Sequence, residues 1–238
     1  MRARQQIEEE LNEHATPERA VNEKRYLKSE LSHIGVRVPT IRKVVRTRLN
    51  EDRPDRSRLL RLVRELWGSE IHELRFGAVV SLTWAAKKLL TDEDVPLVEQ
   101  LIREARTWAL VDPLSTDVMG TLIGRFELGE TLDRWAADDD LWIRRASMLS
   151  LLRPLRGGGG DWERFSRYAD ALLDEKEFFI RKAIGWVLRD VGRKRPELTD
   201  AFIATRTHRA SGVTMREAVK AFPEARRDEL MTAYREKR

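Results

Sequence analysis

A short motif that recurs at a regular interval is the feature that most limits how this chain can fold. Each copy has an apolar residue, an arginine, a variable residue and then a small residue. Ile143–Ser147 is followed 37 positions later by Ile180–Ile184 and after a further 35 by Met215–Val219, and Leu74–Ala78 lies 69 positions before the first copy. This is the period of two-helix repeats, which bury their apolar faces only by stacking. We therefore predict an all-α helical-repeat solenoid.

The residues between the apolar segments support a helical structure. Thr16 before Pro17, Val38 before Pro39, and the acidic run that follows Thr91 are all typical of helix starts. Strand-like alternation is hard to find. The four glycines at 157–160 predict a flexible surface loop, because no Lys-Ser/Thr pair follows them as in a phosphate cradle. Since the same periodicity continues on both sides of this loop, we expect one domain over residues 1–238.

Composition excludes several classes of protein. The 238 residues contain no cysteine, which removes disulfides and thiolate metal sites, and the four isolated histidines predict surface or capping roles with no metal and no cofactor. No apolar run approaches the ~18 residues of a membrane span, and no leader-type stretch opens the sequence. We expect a cytoplasmic monomer. The net charge is only +5 from 45 basic and 40 acidic residues, so any basic patch must come from arrangement.

The repeated arginines leave two interpretations open. They line the concave face of the solenoid with positive charge, or they lie on solvated outer faces. The tryptophans are more informative. Periodicity predicts that Trp67, Trp84, Trp135 and Trp162 belong to the core. The acidic run at 138–140 predicts a helix N-terminus favoured by the helix dipole.

Five segments, in their order and spacing, resemble the AlkD-type DNA alkylation repair glycosylases, a family of HEAT-like helical-repeat proteins. They are Arg25–Lys28 with Gly35–Pro39, Trp108–Asp112, Leu141–Ala146, Lys176–Arg189 and Arg216–Ala218. The resemblance implies a C-shaped solenoid whose basic concave face holds duplex DNA. It also implies hydrolysis of the N-glycosidic bond of positively charged purines, such as 3-methyladenine and 7-methylguanine, without the base flipping used by most glycosylases.

The resemblance also assigns roles to residues. It places the catalytic carboxylate at Asp112, the two lesion-contacting tryptophans at Trp108 and Trp186, an active-site arginine at Arg145 and a cleft tyrosine at Tyr26. Three further arginines are candidate DNA-binding residues, although none of them matches an active-site residue of the family: Arg181, Arg189 and Arg216. Pro113 departs from the family pattern, and its fixed φ bears on how the preceding carboxylate is presented.

These residue types suit the chemistry. A cationic purine is already a good leaving group, so the enzyme must stabilise positive charge developing on the sugar. A fixed carboxylate does this and can orient water, while tryptophan faces attract cations by ~0.5–2 kcal/mol. Arginine binds phosphate with two donors.

Structural interpretations compete with these roles. An Asp before a Pro is typical of a helix N-cap, Trp108 and Trp186 fit core positions, Arg145 fits a solvated or ion-paired site, and Tyr26 fits packing. The rival function is a non-catalytic helical-repeat scaffold that binds DNA or a protein partner.

Overall fold

The computed structural model describes residues 2–236, and this part of the chain contains helices and turns but no β-strand. The α-helices are Arg2–Asn12 (α1), Pro17–Leu27 (α2), Val38–Asp52 (α3), Arg56–Trp67 (α4), His72–Ala85 (α5), Val95–Ala105 (α6), Trp108–Pro113 (α7), Gly120–Leu122 (α8), Gly129–Ala136 (α9), Leu141–Ser150 (α10), Leu152–Arg156 (α11), Trp162–Ala171 (α12), Phe178–Gly192 (α13), Pro196–Ala204 (α14), Gly212–Ala218 (α15) and Glu224–Glu236 (α16). The all-α helical-repeat prediction is confirmed.

Helices begin where the sequence signals them. Pro17 and Pro39 lie in the first turns of α2 and α3, where a missing N–H costs nothing. Thr91 forms a capping box with Asp94 ahead of α6. Asp140 caps α10 by accepting the Trp142 N–H at 2.7 Å, so the acidic run does mark a helix N-terminus.

The helices group into two compact units, one ending at Leu122 and the other beginning at Ile123. In the first unit α5 packs against α3 and α4, and its residues Leu74 and Leu82 are fully buried. In the second unit α13 packs against α10, α14 and α15. Burying a side chain of this size contributes roughly 1.5–3 kcal/mol, which explains why the motif-bearing helices form the centre of each unit.

The repeated arginine of the motif has a structural role in three of its copies. The guanidinium groups of Arg75, Arg144 and Arg181 each donate to a backbone carbonyl six residues earlier, at 2.8, 2.7 and 2.6 Å. Each bond ties the start of a helix to the turn before it. The solvated interpretation is wrong for Arg75 and Arg144, whose side chains are 16% and 15% exposed. Arg216, in the last copy, is exposed.

Other expectations have mixed outcomes. The four glycines form an exposed turn between α11 and α12, as predicted. Trp67 and Trp135 are buried, but Trp84 and Trp162 are only partly buried, so the core assignment is wrong for that second pair. Among the described residues, no helix is both long enough and apolar enough to cross a membrane.

Candidate functional site

The segment that carries Trp108 and Asp112 is an α-helix that continues as a π-helix. Thr107 is the N-cap of α7 and its hydroxyl accepts the Ala109 N–H at 3.4 Å. Asp112 therefore lies inside the helix, one residue before its end, and the N-cap interpretation of Asp112 is wrong. The partly buried carboxylate is presented by helical backbone.

Pro113 is accommodated at the point where the winding changes. It keeps right-handed helical dihedrals (φ −70°, ψ −29°), and a π-helical segment, Leu114–Met119, follows it directly. The Thr116 hydroxyl donates to the Asp112 carbonyl at 2.9 Å and so supports the backbone at this change. π-Helical turns are rare in proteins overall, but those that do occur are frequently at functional sites. Pro113, which departs from the pattern of the resemblance, thus lies directly before such a turn.

A cleft of about 390 Å³ in the first unit brings three of the predicted site residues together. Tyr26, Trp108 and Asp112 all line it. Tyr26 is 73% exposed, and its ring meets the Trp108 ring edge to face, with centroids 6.0 Å apart and planes at 89°. The packing interpretation of Tyr26 therefore accounts for its contact with Trp108 only, and most of the side chain is open to a ligand.

The charge of this cleft was not visible in the sequence. Besides Asp112, three further carboxylates line it, those of Glu23, Glu73 and Asp117, and the one lining residue with a positive charge is Arg42. The Arg42 guanidinium lies 6.0 Å from the centre of the Phe76 ring. These residues come from four separate helices and follow no motif, so only the fold could bring them together. The result is an acidic, aromatic cleft in a chain of net charge +5.

Glu73 fixes one wall of the cleft. Its buried carboxylate accepts the backbone N–H groups of Ile34, Gly35 and Val36, the shortest at 2.7 Å. Gly35 has φ +81°, and a Cβ there would lie 2.1 Å from the Thr16 carbonyl oxygen. Only glycine fits both demands. The loop after α2 is thus held between α2 and α5.

Two histidines stack beside this wall, which overturns the expected surface or capping roles. His33 and His72 have ring centroids 4.6 Å apart and planes at 11°. His72 is buried; burial, with smaller contributions from His33 and Arg75, lowers its pKa to about 3. Burial also lowers the pKa of His33, against the opposing charge of Glu73. Ligand atoms of Glu23, His33 and Glu73 lie within 4.8 Å of one another; since Glu73 is already engaged by three N–H groups, we assign it a structural role.

The second unit holds the other predicted tryptophan. Trp186 lies in α13 and is partly buried, so it is not a core residue in the full sense. Its indole Nε1–H donates to Oδ2 of Asp190 at 3.2 Å. The same oxygen is 2.6 Å from Nη2 of Arg156, and Asp190 is only 2% exposed.

A second buried carboxylate, that of Glu217, extends this network. It accepts Lys182 at 2.6 Å and Lys220 at 2.8 Å, and it also pairs with Arg189. Burial alone would raise the pKa of Glu217, but the hydrogen bonds from the two lysines and the charge of Arg189 outweigh it and lower the pKa to about 2. No motif in the sequence signals this pairing, because its members come from α13, α15 and the turn that follows α15.

The four predicted DNA-binding arginines differ in their burial and in the groups they contact. Arg145 is 2% exposed; its guanidinium donates to the Phe179 carbonyl and lies 5.8 Å from the Phe179 ring centre. Arg181 and Arg216 line a pocket of about 340 Å³ in the second unit. Arg189 is engaged by Glu217 and Asp190. The solvated interpretation of Arg145 is wrong, and its buried position favours a structural role. DNA binding by these four residues stays a prediction.

The fold and the two tryptophan sites define a helical-repeat protein with a cleft suited to a cationic ligand. The DNA alkylation repair enzyme family model matches residues 7–222, and the chain therefore belongs to the DNA alkylation repair enzyme family. A solved structure described as a predicted DNA alkylation repair enzyme from Enterococcus faecalis is similar with a TM-score of 0.78, over 89% of this chain and 98% of that one. At 18% identity this likeness shows the shared fold. No curated protein sequence matches the chain.

Proposed function

We propose that this member of the family is a monofunctional DNA glycosylase. It hydrolyses the N-glycosidic bond of positively charged alkylated purines, 3-methyladenine and 7-methylguanine, in duplex DNA without base flipping. The observation that carries the proposal is the cleft of the first unit, where Tyr26 and Trp108 present aromatic surface beside Asp112. Such a lining attracts a cation and repels phosphate, which is the charge preference that this reaction needs.

Asp112 supplies the charge that the reaction requires. Because a cationic purine leaves readily, the barrier lies in the positive charge that develops on the deoxyribose. A carboxylate held by helical backbone stabilises this charge without reorganising, and it can accept a proton from the attacking water. The water oxygen bonds to the anomeric carbon as the purine departs as a neutral base, so no general acid for the leaving group is needed.

Tyr26 and Trp108 complete the proposed contacts of the first unit. The T-shaped pair leaves aromatic surface of the exposed Tyr26 ring available to the DNA. Cation–π attraction of ~0.5–2 kcal/mol favours a charged base over a neutral one. The glycosylase therefore recognises its lesion by charge, which explains how it selects a substrate without enclosing the base.

The second unit contributes through Trp186 and its basic surroundings. We propose that Trp186 contacts the alkylated nucleotide and that Arg181, Arg189 and Arg216 bind backbone phosphates. An aromatic residue among cations is the arrangement used by proteins that bind nucleic acid through stacking and phosphate contacts. The exposed Arg216 is the strongest candidate among the arginines.

The proposal is tested by Asp112→Asn in single-turnover release of 7-methylguanine from methylated duplex DNA. We expect a loss of ~100–1000-fold in rate, equivalent to ~3–4 kcal/mol of transition-state stabilisation. Binding of DNA is expected to stay equal or to improve slightly, because the substitution removes a negative charge that faces a polyanion.

Asp117→Asn is the matched control. Asp117 lines the same cleft and lies in the π-helical segment that follows α7, five positions after Asp112. It removes the same charge from the cleft, and we expect a loss of less than about 10-fold. Parental excision by Asp112→Asn, or equal losses in the two variants, would show that Asp112 is not the catalytic carboxylate.

A further inference from the structure

Asp190 holds two side chains of different chemistry on one oxygen atom. Its Oδ2 accepts the indole N–H of Trp186 at 3.2 Å and the Nε of Arg156 at 2.8 Å, and Nη2 of Arg156 lies at 2.6 Å. The carboxylate belongs to α13 and is 2% exposed. Because both partners bond to a single buried atom, the indole and the guanidinium are held at a fixed separation.

The surroundings of this carboxylate are strongly basic. Its other oxygen faces Arg189 at 3.3 Å and Arg193 at 3.7 Å. The Arg156 and Arg193 side chains are 54% and 66% exposed, so their charges reach the surface. A partly buried tryptophan thus stands beside exposed guanidinium groups.

We propose that Asp190 is a positioning residue that holds Trp186 to contact a cationic base and Arg156 to bind the adjoining phosphate. The inference rests on the proposed function and adds a residue to it. The hydrogen bond to Nε1 sets the rotation of the indole ring. The negative carboxylate also polarises the N–H and makes the ring face more attractive to a cation.

Loss of the negative charge of Asp190 and loss of its positioning role should change DNA binding in different ways. Removing one negative charge near DNA should strengthen binding to every duplex alike. Loss of a positioning residue should instead weaken the preference for a cationic lesion over unmodified DNA. The ratio of two affinities therefore separates the two effects.

The experiment compares the parent and Asp190→Asn on two duplexes. One is unmodified, and the other carries 7-methylguanine on a 2′-fluoroarabinose, which resists cleavage and keeps the positive charge. We expect the preference for the lesion duplex to fall by about 5- to 10-fold, while the affinity for unmodified DNA changes by less than about 2-fold. The control is Asp170→Asn, since Asp170 also pairs with two arginines, Arg206 at 2.7 Å and Arg209 at 2.9 Å. It should leave the preference unchanged.

Trp186→Phe keeps an aromatic face and lacks the N–H donor. Alone it should reduce the preference, and adding Asp190→Asn to it should cause no further loss. If Asp190→Asn fails to fold, an unchanged preference in Trp186→Phe overturns the inference. A folded Asp190→Asn with parental preference overturns it directly, and so does a parent that binds both duplexes equally. A parent that prefers the cationic lesion but releases no base from a duplex with 7-methylguanine on ordinary deoxyribose would contradict the glycosylase proposal instead, and the variants would still decide the role of Asp190.

Discussion

The cleft of the first unit and the surroundings of Trp186 in the second unit each contain an exposed or partly buried aromatic residue, yet their charges are opposite. The cleft is lined by four carboxylates and one arginine. Around Trp186, by contrast, two buried carboxylates, those of Asp190 and Glu217, are surrounded by five cations, Arg156, Lys182, Arg189, Arg193 and Lys220. The first setting suits a cation and the second suits phosphate.

The role of a tryptophan therefore depends on the charges near it. Trp108 and Trp186 both follow helical periodicity, and neither can be told from a core residue by its own position in the sequence. A net charge of +5 also conceals an acidic cleft and a basic surface in one chain. Alkylated DNA itself offers both kinds of charge, a cationic base and an anionic backbone.

Lowering the pH should destabilise the first unit more than the second. His72 has a pKa of about 3 in the folded protein and near 6.5 when unfolded. Below pH 6.5 the unfolded chain takes up a proton that the folded chain excludes until about pH 3, so stability falls as the pH falls through this range. The slope reaches at most ~1.4 kcal/mol per pH unit. Urea unfolding at pH 7.5 and 5.5 should show a loss of roughly 1 kcal/mol.

The second unit should resist this loss. Glu217 has a pKa of about 2 when folded and 4.5 when unfolded, so its stabilisation is complete above pH 4.5 and disappears only between 4.5 and 2. When the pH is lowered to 5.5, the protection of backbone amides against hydrogen exchange should therefore fall in residues 34–36 before it falls in residues 214–219. His72→Gln should flatten the pH dependence of the free energy of unfolding, because it removes the group whose pKa burial lowers. Equal acid sensitivity in both regions would contradict this account.

A smaller effect is expected from two arginines of the second unit. Arg216 is exposed and Arg145 is 2% exposed. Arg216→Ala should lower the salt dependence of duplex binding by about one unit of slope, because one phosphate contact releases its counterions. Arg145→Ala should lower the melting temperature and leave that slope unchanged. DNA-binding titrations at several salt concentrations, together with melting curves, test both expectations. A reduced salt dependence of binding in an Arg145→Ala variant of parental stability would show that Arg145 contacts a phosphate.

Much of the fold could be predicted because its signals are local. The repeated motif, the proline-marked helix starts and the Asp140 cap all act within a few residues, where side-chain spacing and backbone hydrogen bonding determine the outcome. The repeated arginine shows the limit of this reasoning. The sequence shows that Arg75, Arg144 and Arg181 are equivalent, but it does not show that each bonds to a carbonyl six residues earlier.

The candidate site was predicted only in part, for a similar reason. Trp108, Asp112 and Tyr26 were found through a resemblance, and the structure brings them to one cleft. Glu73 and the His33–His72 stack follow no spacing rule, since the loop after α2 and the start of α5 meet only in the folded chain. Asp190 was likewise hidden, because an Asp four positions after a Trp gives no signal in the sequence that its carboxylate accepts hydrogen bonds from both that Trp and Arg156.

Base release from two duplexes that differ in the charge of one lesion shows directly whether the cleft selects cationic purines. One duplex carries 7-methylguanine, which is cationic, and the other carries hypoxanthine, a neutral purine lesion. We expect the unaltered protein to release free 7-methylguanine and leave an abasic site, and to release no hypoxanthine under the same conditions. Equal release of both bases, or release of neither, would contradict the claim that the acidic aromatic cleft excises cationic purines.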